Sequence, residues 1–484
     1  MMGVERTARG AKRTRLPAAV TALVLTLLAG GTAAAPDTLP RGQIVEKVSC
    51  ADDPQQSYAL YVPASYDPAR HWPVVYLFDP SARGARAAER FRKGAETYGF
   101  LLAASNNSKN GPINESLGSA RALWKDTHAR FTIDDRRVYT AGFSGGARVA
   151  ALVGQMLSGS VAGVIACGAG FPDGRPPAKD TPFAYFGTAG DTDFNLSEMK
   201  SLDATLEKLG IPHYLETFEG THQWPTEQIC AEALEWMRVR EALRGIAKDP
   251  ALVESSFARR LARASREEAG GRTLEAYREY ASITRDFRGL RDVADVRKRL
   301  SELEKDDRVR SLFASEEKRE KAERSAIDRL TAKLDTIRTA QEPPVLPRLL
   351  AELEISDWKK RAGSASRDEA LAARRVLEWL FVRASLFLPQ ELLARRDFSR
   401  AILALSVSTE IKPQSPQAWY NRACAEARAG HRKKALEELR VAVEKGFRDR
   451  KWIESDADLE PLREDEQFRQ IVESLPPAES APER

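Results

Sequence analysis

The sequence predicts a two-part chain: a mostly parallel, eight-stranded α/β sheet followed by an all-α domain of helical repeats. Three observations predict it. Between about residues 42 and 240, short apolar runs alternate with helical stretches. After about residue 245 those runs stop, and Ala, Glu, Arg and Leu recur at helical spacing. Near the end, two units repeat at a period of 34 residues. A chain of 484 residues is also too long for one ordinary core, which agrees with two or three domains.

The first element is a leader. Residues 1–35 carry a basic start, the apolar run "LPAAVTALVLTLLAGG" and then "TAAAP", the pattern of a signal peptide rather than of a bilayer span. Export to a periplasm or the outside is expected, with membrane contact only if this segment stays uncleaved. The leader also explains the formal charge of +5: Arg6, Arg9, Lys12, Arg13 and Arg15 oppose Glu5 alone, which leaves about +1 for the rest. No nucleic-acid partner is expected from so small a balance.

Residues 36–245 form the α/β domain. Its strand candidates are "GQIVEKV", "SYALYVP", "WPVVYLFDP", "GFLLAASNN", "RVYTAGFS", "AGVIACGAG", "PFAYFGTAG" and "HYLETFEG". The middle ones are continuous Val/Ile/Leu/Phe runs, suited to strands buried on both faces of a parallel sheet. The first two alternate and read as an antiparallel edge hairpin.

The chemistry centres on "VYTAGFSGGARVAALVG", where a strand breaks at Gly142-Phe143-Ser144-Gly145-Gly146 and a small-residue helix begins. A sharp turn there lifts Ser144 above the sheet edge, and the positions on either side must lack bulk. The helix that follows aims its free N–H groups at the serine oxygen. A tight turn without chemistry uses the same residues, so the rest of the constellation has to decide. A serine hydroxyl needs a base, and the base needs a carboxylate to orient it. Of His71, His128, His213, His222 and His431, only His222, in "FEGTHQWP", falls in a loop at the carboxyl end of a strand, where α/β sheets keep their sites. The acid is expected after the preceding strand, in "TAGDTDFN". Asp193 is favoured by its spacing from the strand-ending Gly190. Asp191 is the alternative, and whichever is not the acid is left to cap a turn or the next helix.

The order Ser144, Asp191 or Asp193, His222 resembles that of the α/β-hydrolase fold, and "GFSGG", "GDTDFN" and "GTHQWP" are similar to bacterial serine esterases of the feruloyl esterase, polyhydroxyalkanoate depolymerase and dienelactone hydrolase type. The resemblance covers about residues 40–240. It implies a Ser-His-Asp esterase with no cofactor or metal, acting on a small or polymeric ester. It implies an oxyanion hole from the N–H of Gly145 and one from the loop "FDPSARG". Pro80 has no N–H, so Ser81 is the expected second donor. Phe143, Trp224, Phe194, Asn107 and Trp124 are candidates for the acyl pocket, although aromatics of this kind are as often plain core. Metal spacings such as His-Glu-x-x-His and phosphate loops are absent from the sequence, and the Ser-x-x-Lys strings at 197–200 and 356–359 lack companion motifs.

Residues 246–345 are helical and include one long charged stretch, read as a solvated helix or a coiled-coil arm, ended by "QEPPVLP". Residues 346–475 resemble tetratricopeptide repeats: Ala401 to Ala435 and Leu405 to Leu439 are each 34 apart, and Trp419, Ala423, Gly430 and Ala442 fit the pattern. Glu426 stands where an aromatic is usual, and Pro389 falls inside a helix. Stacked hairpins make a groove, which implies docking of a protein partner or of the substrate; a stabilising appendage is the plainer alternative. Residues 476–484 are expected to be a disordered tail. Two further readings stay open: a serine peptidase on the same fold, and a non-catalytic scaffold acting through its repeats. Because every triad candidate precedes residue 245, a fragment of residues 36–245 is expected to fold alone. Of four cysteines, Cys167 and Cys424 read as packing, which leaves Cys50 and Cys230 as the one candidate disulfide.

Overall fold

The computed structural model describes residues 39–476. The expected signal peptide and the tail beyond residue 476 lie outside the described residues. The first half runs β1 (Ile44–Ser49), β2 (Ser57–Tyr61), β3 (Trp72–Phe78), α1 (Gly84–Tyr98), β4 (Leu101–Ser105), α2 (Ile113–Arg130), β5 (Ile133–Phe143), α3 (Gly145–Met156), β6 (Gly163–Cys167), β7 (Ala184–Gly190), α4 (Leu196–Leu209), β8 (His213–Phe218) and α5 (Glu227–Leu243). All eight apolar runs are strands of one sheet, in the order β1-β2-β4-β3-β5-β6-β7-β8.

β1 pairs antiparallel with β2 and β2 antiparallel with β4, and every pairing from β4 to β8 is parallel. Only β1 is the edge of that hairpin. β2 is buried along its whole length, because β4 covers its other side. This is the mostly parallel, eight-stranded sheet that the apolar runs implied.

Successive side chains of a strand face opposite layers, and β3 shows how the sheet uses this. Val74, Tyr76 and Phe78 enter the core shared with α2, α3 and α4, while Val75 and Leu77 enter the core shared with α1 and α5. Burying a side chain such as Phe91, wholly inaccessible on α1, is worth roughly 1.5–3 kcal/mol relative to exposure. The same division settles the cysteines. Cys50 lies in the first layer and Cys230 in the second, with the sheet between them, and all four cysteines are free thiols. The candidate disulfide is not formed.

The second half continues with α6 (Pro250–Ala269), α7 (Thr273–Phe287), α8 (Ala294–Lys305), α9 (Asp307–Leu334), α10 (Thr336–Thr339), α11 (Leu346–Glu352), α12 (Ile355–Ala362) and α13 (Arg367–Val382). A π-helical turn at Arg383–Phe387 leads into α14 (Leu388–Ala394), α15 (Phe398–Ile411), α16 (Pro416–Arg428), α17 (Arg432–Glu444), α18 (Arg450–Ser455) and α19 (Glu466–Glu473). No helix among the described residues is long and apolar enough to cross a membrane.

The change of grammar near residue 245 is not a break in packing. β8 is the edge strand, and α6 and α7 lie against its side chains: Tyr214 Oη donates to Glu279 at 2.7 Å, and Arg263 pairs with Glu216 at 2.8 Å. On α5, Trp236 Nε1 donates to Asp286 at 2.8 Å. Arg260, 5% exposed, joins these groups by pairing with Glu279 and Asp286 at 2.7 and 2.8 Å. Buried charges of this kind are tolerated only as a complete set; removing one partner costs about 3–5 kcal/mol.

The long charged stretch is a single helix of 28 residues, α9. Val309 near its start joins the core of α6 to α8, while Leu330 and Leu334 near its end join the core of α11 to α15. It is a spine between two helical cores, not a projecting arm. The 34-residue period falls on α15 and α17, where Ala401 and Ala435 are both fully buried. The two departures from the repeat pattern have physical reasons. Pro389 lies within a continuous helix, directly after the π-helical turn, whose wider winding accommodates a residue with no N–H to donate. Glu426, wholly buried, is held by His431 Nδ1 at 2.6 Å and Lys434 Nζ at 2.5 Å.

Candidate active site

β5 stops at Phe143 and α3 starts at Gly145, so Ser144 alone makes the turn. Its φ of +53° is uncommon for a residue with a side chain, and a sharp strand-to-helix turn of this kind is what a nucleophile elbow would require. The glycines make the turn feasible. A Cβ on Gly142 would lie 2.2 Å from the Gly146 carbonyl oxygen, and one on Gly146 would lie 2.0 Å from the Phe78 carbonyl oxygen. Neither neighbour can move, since both are backbone.

Two strand ends complete the constellation. The loop after β8 brings His222 Nε2 to 2.9 Å from Ser144 Oγ. The loop after β7 places Asp193 Oδ1 and Oδ2 at 2.9 and 3.0 Å from His222 Nδ1. An ionised carboxylate can only accept, so Nδ1 carries the proton and Nε2 is left to accept from the serine hydroxyl. Asp193 is fully buried, whereas His222 keeps 15% of its side chain exposed. Asp193 Oδ1 also accepts from the N–H of Asn195 at 2.8 Å, which fixes the carboxylate plane.

Asp191 serves a different purpose. Its Oδ1 accepts from the N–H of Gly220 at 3.1 Å, and Thr192 Oγ1 donates to the Gly220 carbonyl at 2.8 Å. These bonds tie the loop of Asp193 to the loop of His222. The other histidines are elsewhere: His128 stacks on Trp124, His213 bonds the Ile211 carbonyl, His431 holds Glu426, and His71 is exposed before β3.

The loop after β3 differs from its expected role. Asp79, wholly buried, accepts from Ser81 N at 2.8 Å, Arg83 Nε at 3.0 Å and Trp224 Nε1 at 3.0 Å. The Ser81 N–H is thus engaged by Asp79 and is not free to act as a second oxyanion donor. Gly145, in the first turn of α3, has no intrahelical acceptor for its N–H. Beside it stands Asn110, unnoticed in the sequence: a Cβ on Gly145 would come within 1.9 Å of Asn110 Oδ1.

The five pocket candidates divide. Phe143 and Phe194 flank the imidazole, with ring centroids 4.7 and 4.3 Å from that of His222. Trp224 lies behind Phe143 at 5.4 Å and is 5% exposed, a buried support for Asp79. Trp124 is core, stacked between Tyr76 and His128. Asn107 is structural: it accepts from Ser57 N at 2.9 Å and donates to the Gln55 carbonyl at 2.9 Å, both outside the site.

The helical half reaches the site as well. Trp379 of α13 places its ring 6.2 Å from that of Phe194. A cleft of about 520 Å³ opens at Gly145 and runs between α3, the start of α2 and the loop after β6. Among the described residues no group of three or more His, Cys, Asp or Glu side chains is placed to hold a metal ion.

A family model described as "A/B hydrolase-like, N-terminal domain" matches residues 391–479. That match covers the helical end of the chain, from within α14 onward, and contains none of the site residues. No curated protein matches the chain. Among solved structures, the chain is similar to an S-formylglutathione hydrolase from Staphylococcus aureus, at 14% identity over 41% of this chain and 98% of that one, with a TM-score of 0.33. It is similar to a ferulic acid esterase at 17% identity over 40% and 97%, TM-score 0.34. It is also similar to an esterase from Mycobacterium marinum at 18% identity over 40% and 81%, TM-score 0.32. These likenesses are distant, and the functional reading rests on the geometry of the site itself.

Proposed function

We propose that the chain is an exported serine hydrolase that cleaves carboxylic esters through an acyl-enzyme. The observation that carries this is the hydrogen-bonded run from Ser144 Oγ through the His222 ring to Asp193, at 2.9 Å for each of its two links. In this reading His222 Nε2 takes the hydroxyl proton as Ser144 Oγ attacks the ester carbonyl. Asp193 orients the ring and stabilises the imidazolium that forms. The carbonyl oxygen becomes an oxyanion against the N–H of Gly145 at the positive end of α3. His222 then gives its proton to the leaving alcohol, and water repeats the cycle to release the acid. Export is supported by the basic and apolar leader, residues 1–35.

The test is turnover of p-nitrophenyl acetate beside an amide of the same acyl group. Ester turnover with little amide turnover fits the proposal. Preferential amide cleavage would move the reading to a peptidase. Absence of both, from a folded protein, would leave a scaffold.

A further inference from the structure

The cleft beside Ser144 contains the part of the surface that the chemistry above does not use. Its floor is one stripe of α3: Gly145, Val149, Leu152 and Met156 recur at the spacing that shares a helix face. Ile113 and Leu117 of α2 form the opposite wall. Met156 is 50% exposed and Ile113 is 40% exposed; both are large apolar side chains left facing water inside a concave surface, which marks a binding site more often than a defect.

Direction follows from proton transfer. The leaving oxygen must receive its proton from His222 Nε2, so the alcohol lies on the side of His222 and Phe194. The acyl limb then leaves the carbonyl carbon on the opposite side, past Gly145, and enters the cleft. The helix that floors it has 12 residues and is about 18 Å long at 1.5 Å per residue, long enough for an extended medium-length chain.

Resting on the serine hydrolase reading, we infer that the cleft between α2 and α3 is an acyl-chain site and that the substrate class is esters of medium-chain, octanoyl to dodecanoyl, carboxylic acids. Val149 and Leu152 contact the chain along the floor, Ile113 contacts it from the wall of α2, and Met156, the last residue of α3, contacts its far end.

The experiment uses the full chain and p-nitrophenyl esters from acetate to palmitate, with kcat/KM as the readout. The wild type should prefer octanoate over acetate by at least about tenfold, since each methylene bound in an apolar pocket contributes toward a factor of 10–200. Met156→Glu and Ile113→Asp, both at exposed positions, should each lower the octanoate-to-acetate ratio at least about fivefold. Acetate turnover with no preference for longer chains, or a ratio that neither variant moves, overturns the acyl site while leaving the hydrolase reading in place. Variants that change discrimination among alcohol chain lengths in acetyl esters, but not among acyl lengths, overturn it as well. Loss of all ester turnover in the folded wild type defeats both readings together.

Discussion

Arg375 Nη1 donates to the carbonyl oxygen of Asp191 at 2.8 Å, which joins helix α13 to the loop that carries Asp193. Its remaining guanidinium nitrogens meet Glu323 of α9 at 2.7 Å each. Glu316 and Glu320 of the same helix hold Lys200 of α4 at 2.9 and 2.7 Å. The helical half therefore grips the strand-end loop on which the orientation of His222 depends.

Arg375→Ala should lower kcat on a small ester by about 10–100-fold, because small misplacements of a catalytic group cost that much. It also strands Glu323, 8% exposed, without its partner, at a cost of about 3–5 kcal/mol. Combining Arg375→Ala with Glu323→Gln should recover much of the melting temperature but not kcat. Recovery of both would show that Arg375 acts on stability alone.

The two aspartates separate by burial and partner. Asp193→Asn should reduce kcat about 10⁴-fold, since an amide in place of the acceptor selects the wrong imidazole tautomer. Asp191→Asn retains an oxygen for the Gly220 N–H and should cost less than about tenfold. Equal losses in the two variants would assign the acid to the loop as a whole rather than to Asp193.

Truncation after residue 245 tests the edge strand. Tyr214, Glu216 and Trp236 are buried by α6 and α7. Their removal would leave these groups exposed on an open, partly apolar edge, which invites aggregation. A fragment of residues 39–245 should be insoluble, or melt far below the full chain. A soluble fragment with full activity would show that the helices are dispensable to the sheet.

Much of the α/β half was legible because its strands are continuous apolar runs, and runs buried on both faces leave little else to read. That Ser144 and His222 come together was legible for a related reason: each lies where a run ends, so position along the chain fixes position on the sheet. Other features were not. Arg375 and Asp191 are 184 residues apart, and neither has a local pattern that signals the other. The engagement of Ser81 by Asp79 was hidden because a loop's hydrogen bonds depend on its conformation, not on its composition. Asn107 and Asn110 are three residues apart in one polar stretch. Sequence favoured the first, and only the backbone path places the second against Gly145. Trp124 had the residue type of a pocket wall but lies on the core side of α2.

The most direct measurement is the site of covalent labelling by a fluorophosphonate, read by peptide mass spectrometry on the full chain and on Ser144→Ala. Ser144 has a base within hydrogen-bonding reach at 2.9 Å, so it should carry all of the label. The alanine variant should stay folded, take up none, and lose about 10⁴–10⁶-fold in kcat. Label on another serine, or an alanine variant that still turns over esters at a comparable rate, would contradict the account.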